Sequence, residues 1–193
     1  NLAIKPDTVY PLYGLRYLFH RIISRLSNVR FFVHLFGDSS YIVSYLRWVG
    51  YEFSNGILQT GSNFGSAVKH DNPFLVSIGR GTMVADDLSI INADFTTTSF
   101  KLARVTIGAN NFLGNQVAYP SQGQTGDNCL LATKVMVPVD GDLREGVGLL
   151  GSPSFEIPRS VMRDIGLDHP KSQEELSHQL AAKNRHNLIT MGL

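Results

Sequence analysis

Ile107–Pro138 reads IGANNFLGNQVAYPSQGQTGDNCLLATKVMVP, and Ile107, Leu113, Tyr119, Leu131 and Val137 stand in it at six-residue spacing, with Thr125 the only polar member of the series. The same spacing runs on to Leu143, Leu149 and Phe155, and it recurs upstream at Ile78, Val84 and Ile90. A period of six matches neither the 3.6 of a helix nor the 2 of a strand, so it reads as a structural repeat. Three hexads make one flat-sided coil of a parallel β-helix, with every sixth side chain pointing into the shaft. Small or acidic residues often follow the apolar position: Gly79, Ala85, Gly108, Gly114, Gly126, Ala132 and Glu156. These are expected where the chain turns a corner, since glycine carries no Cβ penalty there.

Bulk properties narrow the class. A chain of 193 residues with 43% hydrophobic content supports one domain with extensions. A formal charge of +1 argues against a dedicated nucleic-acid binder. The single cysteine, Cys129, excludes an internal disulfide. It follows Thr125 by four positions, a slot that hexapeptide coils fill with small side chains, so packing is expected of it rather than nucleophilic catalysis. No signal peptide is expected in this stretch, and no uninterrupted apolar run in it approaches the ~20 residues that cross a bilayer. The chain starts at Asn1 and stops after an apolar stretch, Leu188–Leu193, as an excised segment of something longer would.

Three regions are expected. Residues 1–52 form an N-terminal amphipathic helical segment. Leu12, Leu15, Leu18, Phe19, Ile22, Ile23 and Leu26 recur at helical spacing, with Arg16, Arg21 and Arg25 interleaved. Such a helix either lies on an anionic membrane surface or packs its apolar stripe against the β-helix and leaves its arginines solvated. Phe31 to Val49 reads as a second helix or a pair, interrupted at Gly37-Asp38-Ser39-Ser40. Residues 53–160 form the β-helix domain, whose frame is broken by a polar, threonine-rich insertion, Asn92 to Arg104; long loops of this kind often carry function. Residues 161–193 hold a C-terminal helix leading to a membrane segment. The capping box Ser172-x-x-Glu175 opens that helix, which is expected from about Gln173 to Arg185. Helices at both ends are expected to cover the strand edges of the terminal coils.

Chemistry-bearing patterns are sparse. Gly146-Val-Gly148-Leu-Leu-Gly151 matches G-x-G-x-x-G, but Pro153 and Pro158 follow and no helix N-terminus is available to receive a pyrophosphate. No histidine pair or cysteine cluster has zinc spacing, so no metal site is expected. His20, His34, His169, His178 and His186 lie in flanking segments and read as surface or interface side chains. His70 precedes Asp71-Asn72-Pro73, and the adjacent acid could raise its basicity to suit a general base; a turn histidine bonded to backbone is the competing reading. Asn92 and Asp94 open the insertion and could orient an incoming amine, though Asn and Asp are also ordinary turn residues. Lys134, with Asp127 and Asn115, lies within the coils and could meet a phosphate or carboxylate of a substrate or carrier.

Three strings carry a family resemblance: RVTIGANNFLGNQVAYP (104–120), NCLLATKVMVP (128–138) and GLLGSPSFEIPR (148–159). The first resembles the hexapeptide acyltransferases. Together, and with PLYGLRY (11–17) and the helix through Tyr45-Leu46-Arg47-Trp48, they are similar to the membrane-associated C-terminal domains of nonribosomal peptide synthetases of the poly-lysine synthetase type. The resemblance spans about Pro11 to Arg163. It implies a mainly β fold, a left-handed parallel β-helix of hexapeptide repeats with N- and C-terminal flanking α-helices. It also implies tandem β-helix domains that form amide bonds by attack of an amine on a carrier-bound aminoacyl thioester. No cofactor would be bound directly, and the phosphopantetheine arm of a thiolation domain would be the acyl donor. The implied partners are that carrier domain, sister β-helices or a homotrimer, and the membrane surface; the implied location is the cytoplasmic side of a bacterial cell membrane.

One departure stands out. Hexapeptide acyltransferases usually supply a catalytic histidine from the long loop, and Asn92–Arg104 contains none. Two readings follow. Either the domain assists amide formation, with Asn92 and Asp94 orienting the amine and His70 with Asp71 as base, or it is a non-catalytic scaffold that docks the carrier domain or the membrane.

Overall fold

Eighteen residues make one turn of the observed coil, seen in the backbone and side-chain links from Ala109 to Asp127 and from Cys129 to Asn111. The structure, a computed structural model, describes residues 4–37, 39–54, 68–159 and 172–192. Residues 55–67 of the expected coil region and the passage 160–171 lie outside that description, as do Asp38 and Leu193.

Three parallel faces build the shaft. The first stacks β2 (Glu52–Phe53), β4 (Val76–Ile78), β9 (Val105–Ile107) and β12 (Gln124–Thr125). The second stacks β5 (Met83–Val84), β10 (Phe112–Leu113), β13 (Leu130–Leu131) and β14 (Gly148–Leu150). The third stacks β3 (Lys69–His70), β6 (Ser89–Ile90) and β11 (Ala118–Tyr119), continued by a bridge from Ala118 to Met136. Ile107 lies over Thr125, and Leu113 over Leu131, so the six-residue period becomes a column of like side chains. Each rung is locally a strand with period two and therefore turns two side chains inward, such as Val105 and Ile107 or Val117 and Tyr119. Fully burying each is worth about 1.5–3 kcal/mol, and neighbouring coils share the benefit.

The period has two exceptions. Leu143 is 52% exposed on a loop, and Phe155 is 57% exposed in β15 (Phe155–Ile157), which runs antiparallel to β14. Beyond Val137 the coil therefore follows the period only at Leu149. Thr125 is buried and donates or accepts at 2.9 Å with the Tyr119 hydroxyl, so the polar member of the column is paired inside the shaft.

The corners also fall elsewhere than expected. Positive φ occurs at Gly81, Asp87, Asn110, Gln116, Gln122, Asn128 and Lys134, three residues after the inward side chain rather than one, and again at Gly146, one coil beyond Asn128. Asn and Asp tolerate this left-handed conformation better than most residues. The glycines that follow the inward position answer a different constraint: a Cβ on Gly79 would strike the backbone of Gly108 and Ala109, and one on Gly108 the backbone of Gly126. They permit close approach of one coil to the next.

The insertion widens one coil, so that Thr82 and Asn111 are 29 residues apart. It forms a hairpin of β7 (Ala93–Phe95) and β8 (Ser99–Leu102), to which β1 (Val9–Pro11) adds an antiparallel strand. The N-terminal segment is thus woven into the insertion rather than being helical throughout. Tyr10, Leu75, Ala93, Phe100 and Leu102 form a second core beneath this sheet.

Helices cover the entry end of the shaft. After α1 (Leu15–Ser27) come α2 (Arg30–Gly37) and α3 (Ile42–Val49). Val33, Ile42, Tyr45 and Leu46 join the core that runs down through Val76, Ile78 and Ile107. The exit end is closed differently from expectation, because β15 folds back along β14 and takes up its free edge. The helix α4 (Gln173–Met191) is capped by the Ser172 hydroxyl, which accepts from the Glu175 N–H at 3.2 Å. It runs six residues beyond Arg185, so the apolar stretch from Leu188 to Met191 is its last turn. Through Asn184 and Asn187 it bonds Ser40 beside the entry helices, not the last coil.

Candidate functional site

A cavity of about 630 Å³ lies where α1 and α2 meet the first rung of the third face. Arg25, Arg30, Lys69, His70, Asp71 and Asp87 are among the residues that line it. His70 belongs to β3, whose pairing with β6 sets it beside Ile90. The period-two alternation turns it inward while Lys69 faces out. Asn28, just after α1, clamps the same strand: its Nδ2 donates to the His70 carbonyl at 2.7 Å, and its Oδ1 accepts from the His70 N–H at 3.1 Å.

The His70 ring is 2% exposed, with Nδ1 3.0 Å from the Tyr51 hydroxyl. Burial pushes the Tyr51 phenol well up, so it stays protonated. Among the described residues that hydroxyl has no other partner, and donation to Nδ1 satisfies it, which leaves the proton on Nε2. Nε2 is buried and has no hydrogen-bond partner among the described residues. Burial pushes the imidazole pKa down to about 4. The expectation that Asp71 raises its basicity is therefore reversed: desolvation of the cation outweighs the neighbouring carboxylate. Asp71 itself is raised by burial, opposed by a bond from the Ala93 backbone and by Lys69 and Arg21. A sealed, neutral imidazole is poorly matched to general-base work near pH 7.

Asn92 is wholly buried, and both ends of its amide are engaged. Oδ1 accepts from the Asn72 N–H at 2.9 Å, and Nδ2 donates to the Asn72 carbonyl at 2.8 Å. It cannot orient a substrate amine without releasing these bonds, so its expected role is corrected to that of a clamp between coil and insertion. Asn92→Ala should lower stability by about 2–3 kcal/mol, because two buried backbone groups of Asn72 lose their partners. Urea titration at constant pH measures this, and a change below half a kcal/mol would contradict the clamp.

Asp94 is exposed on the hairpin; it accepts from the Ser121 hydroxyl at 2.6 Å and pairs with Lys101 at 3.5 Å. His70, Asp71 and Asn92 thus gather at one edge of the shaft, where Asp71 N–H donates to the Ile90 carbonyl. Asn115 and Lys134 occupy a different edge, between the second and third faces, linked by Lys134 N–H to the Asn115 carbonyl at 2.8 Å. Asp127 turns the third edge and accepts from Ala109 N–H at 2.7 Å. The expected site residues do not converge.

Cys129 is buried, its thiol near the Arg144 carbonyl at 3.2 Å and its pKa raised by burial. It continues a polar column: Asn111 Oδ1 accepts from Cys129 N–H at 2.6 Å, and Asn111 N–H donates to the Thr82 hydroxyl at 3.3 Å. Gly148 sits in a strand and Gly151 in a turn, so no dinucleotide loop exists at 146–151. Among the described residues no group of acids, histidines and cysteine is placed to hold a metal ion. Sequence reasoning missed Tyr51 and Asn28, which orient His70 across 19 and 42 residues of chain; neither position carries a local signal.

Stacked hexads, left-handed corners in register and an inserted hairpin define a protein of the hexapeptide-repeat β-helix fold. No protein-family model and no curated protein matches the chain. Among solved structures it is similar to a hexapeptide-repeat-containing acetyltransferase from Vibrio cholerae, with 10% identity and a TM-score of 0.51 over 77% of this chain and 94% of that one. It also matches a maltose O-acetyltransferase from Clostridium difficile 630 (17% identity, TM-score 0.47, covering 72% and 83%). A galactoside acetyltransferase in complex with coenzyme A matches at 13% identity and a TM-score of 0.46, covering 86% and 92%. At these identities the likeness establishes the fold.

Proposed function

We propose that this chain is a left-handed β-helix domain of a membrane-associated nonribosomal peptide synthetase of the poly-lysine synthetase type. In that setting it assists amide-bond formation between a carrier-bound aminoacyl thioester and an amine. The observation that supports this best is where the family-like strings fall. Residues 104–120 build three successive rungs and the two corners between them, residues 128–138 continue in the next coil, and residues 148–159 form the last rung and its antiparallel return. The resemblance thus follows the architecture instead of scattered surface positions.

The reaction makes modest demands. A neutral amine attacks the thioester carbonyl, the C–N bond forms, the C–S bond breaks, and the amine proton ends on the departing thiolate or on water. Holding the two groups together accounts for much of such a rate. That suits an insertion without histidine and a His70 that stays neutral. The donor arm is phosphopantetheine, and Lys134 with Asn115 on their exposed edge is the place where its phosphate or the carrier would be met.

One observation favours the scaffold reading: the Asn92 amide is fully engaged and Asp94 is held by Lys101 and Ser121. Lys134→Gly in the complete synthetase separates the two. Glycine suits the positive φ of 59° at this corner, so the fold is retained while the ammonium is removed. Amide product measured by mass spectrometry should fall about tenfold if the edge meets the acyl donor. Unchanged product would assign the domain to scaffolding.

A further inference from the structure

The helix α1 is turned inside out. His20 and Ser27 are its buried residues, and the His20 ring stacks on Phe100 of the hairpin at 5.5 Å. Tyr17, edge-on to Phe100, and Ile23 turn partly inward, but five apolar side chains point the other way: Leu15 and Leu26 are 66% and 70% exposed, and Leu18, Phe19 and Ile22 lie between them, also exposed. At about 100° per residue these five fall within an arc of about 100°, the width of an ordinary core-facing stripe. Here nothing of the chain's described residues covers it. Of the two expectations for this helix, burial of the stripe against the β-helix fails for these five residues and holds in part for Leu12 and Ile23.

Charge points to the occupant. No Asp or Glu occurs from Thr8 to Gly37, while Arg16, Arg21, Arg25 and Arg30 do. Arg21 and Arg25 are exposed and lie along one edge of the apolar arc. Guanidinium groups beside an apolar stripe match an interface with acyl chains below and phosphate headgroups above. A second copy fits less well, because a two-fold pairing would set the same arginines against each other with no acid to answer them. Spanning is excluded for this helix: its 13 residues reach about 20 Å, short of a ~30 Å hydrocarbon core.

We infer that α1 is an interfacial helix that seats the β-helix on an anionic bilayer through Leu15, Leu18, Phe19, Ile22 and Leu26, with Arg21 and Arg25 on headgroup phosphates. This deepens the membrane association in the proposed function and rests on it for the setting, while the docking face rests on α1 alone. It also fixes which end of the shaft meets the lipid, since α1 leads directly through Asn28 into the entry helices and the His70 cavity.

The test is co-sedimentation of the purified 193-residue chain with vesicles of phosphatidylcholine alone or mixed with phosphatidylglycerol. Binding to the mixed vesicles is expected, weakening as salt is raised. Leu18→Glu with Leu26→Glu should reduce it by about tenfold or more. Both positions face solvent, so the melting curve should be unchanged; an Arg21→Gln, Arg25→Gln variant, which disturbs no apolar surface, provides a second reading of the same face. Failure to bind mixed vesicles, or binding indifferent to both variants, overturns the inference. So does self-association, seen by sedimentation velocity, that the Leu18→Glu, Leu26→Glu pair abolishes without any vesicle binding. Amide formation by the complete synthetase in detergent is scored separately: its loss with vesicle binding intact counts against acyl transfer and not against docking.

Discussion

Gly108→Ala should destabilise the protein by about 3 kcal/mol or more, while Gly146→Ala should cost only about 1 kcal/mol. The two glycines answer different constraints. Gly146 turns a corner with φ +65°, and nothing lies within 4 Å of where its Cβ would be, so alanine meets backbone strain alone. Gly108 needs no left-handed conformation. A methyl group there would collide with the backbone of Gly126 in the next coil and come within 2.7 Å of the Asp127 carboxylate. Backbone of a stacked rung cannot swing aside as a side chain can. The coils above and below would have to separate, and the hydrogen bond from Gly108 N–H to the Thr125 carbonyl at 2.9 Å would stretch with them. Equilibrium urea denaturation of both variants measures the difference. Equal losses at the two positions would show that corner strain, and not coil spacing, governs glycine in this shaft.

A second large effect concerns acid. The folded His70 imidazole titrates near pH 4 against 6.5 in the unfolded chain, so below pH 6.5 the unfolded state binds the extra proton. Stability is therefore full above pH 6.5 and is lost as pH falls toward 4. The loss amounts to about 3 kcal/mol in all, at about 1.4 kcal/mol per pH unit. Burial raises the Asp71 carboxyl, which works in the opposite direction within the carboxylate range, and lowers His20, which works in the same direction. The difference between the wild-type curve and that of His70→Gln removes both neighbours. Glutamine retains a group able to accept from Tyr51, so the variant should stay folded at pH 8 while its loss between pH 6.5 and 4.5 is much shallower. Curves that remain parallel across that range would mean His70 is charged in the folded state. Such a result would also restore it as a candidate base in acyl transfer.

The repeat was legible because it is a one-dimensional pattern. A shaft that advances one rung every 18 residues needs an apolar side chain at each sixth position, and Ile107, Leu113, Tyr119, Leu131 and Val137 display that need without reference to anything distant. The capping box at Ser172 and the rejection of a dinucleotide loop at 146–151 are equally local, since a hydroxyl three residues from its N–H and a following proline act within one turn of chain. Leu143 and Phe155 kept the spacing and still left the shaft, because an apolar residue on period does not tell whether the chain still coils or has turned back.

Tertiary structure decided the rest. Whether a glycine serves a corner or a close approach depends on what lies one coil away, 18 residues distant. The adjacent Asp71 does not set the basicity of His70, since the burial that lowers it comes from Tyr51, Asn28 and the entry helices, segments far along the chain. Asn92 looked free at a loop entrance until the Asn72 backbone closed on both ends of its amide. The stripe on α1 was visible as a pattern, but its direction was not: periodicity gives the width of an apolar face, and only the docking of His20 against Phe100 turns that face away from the protein.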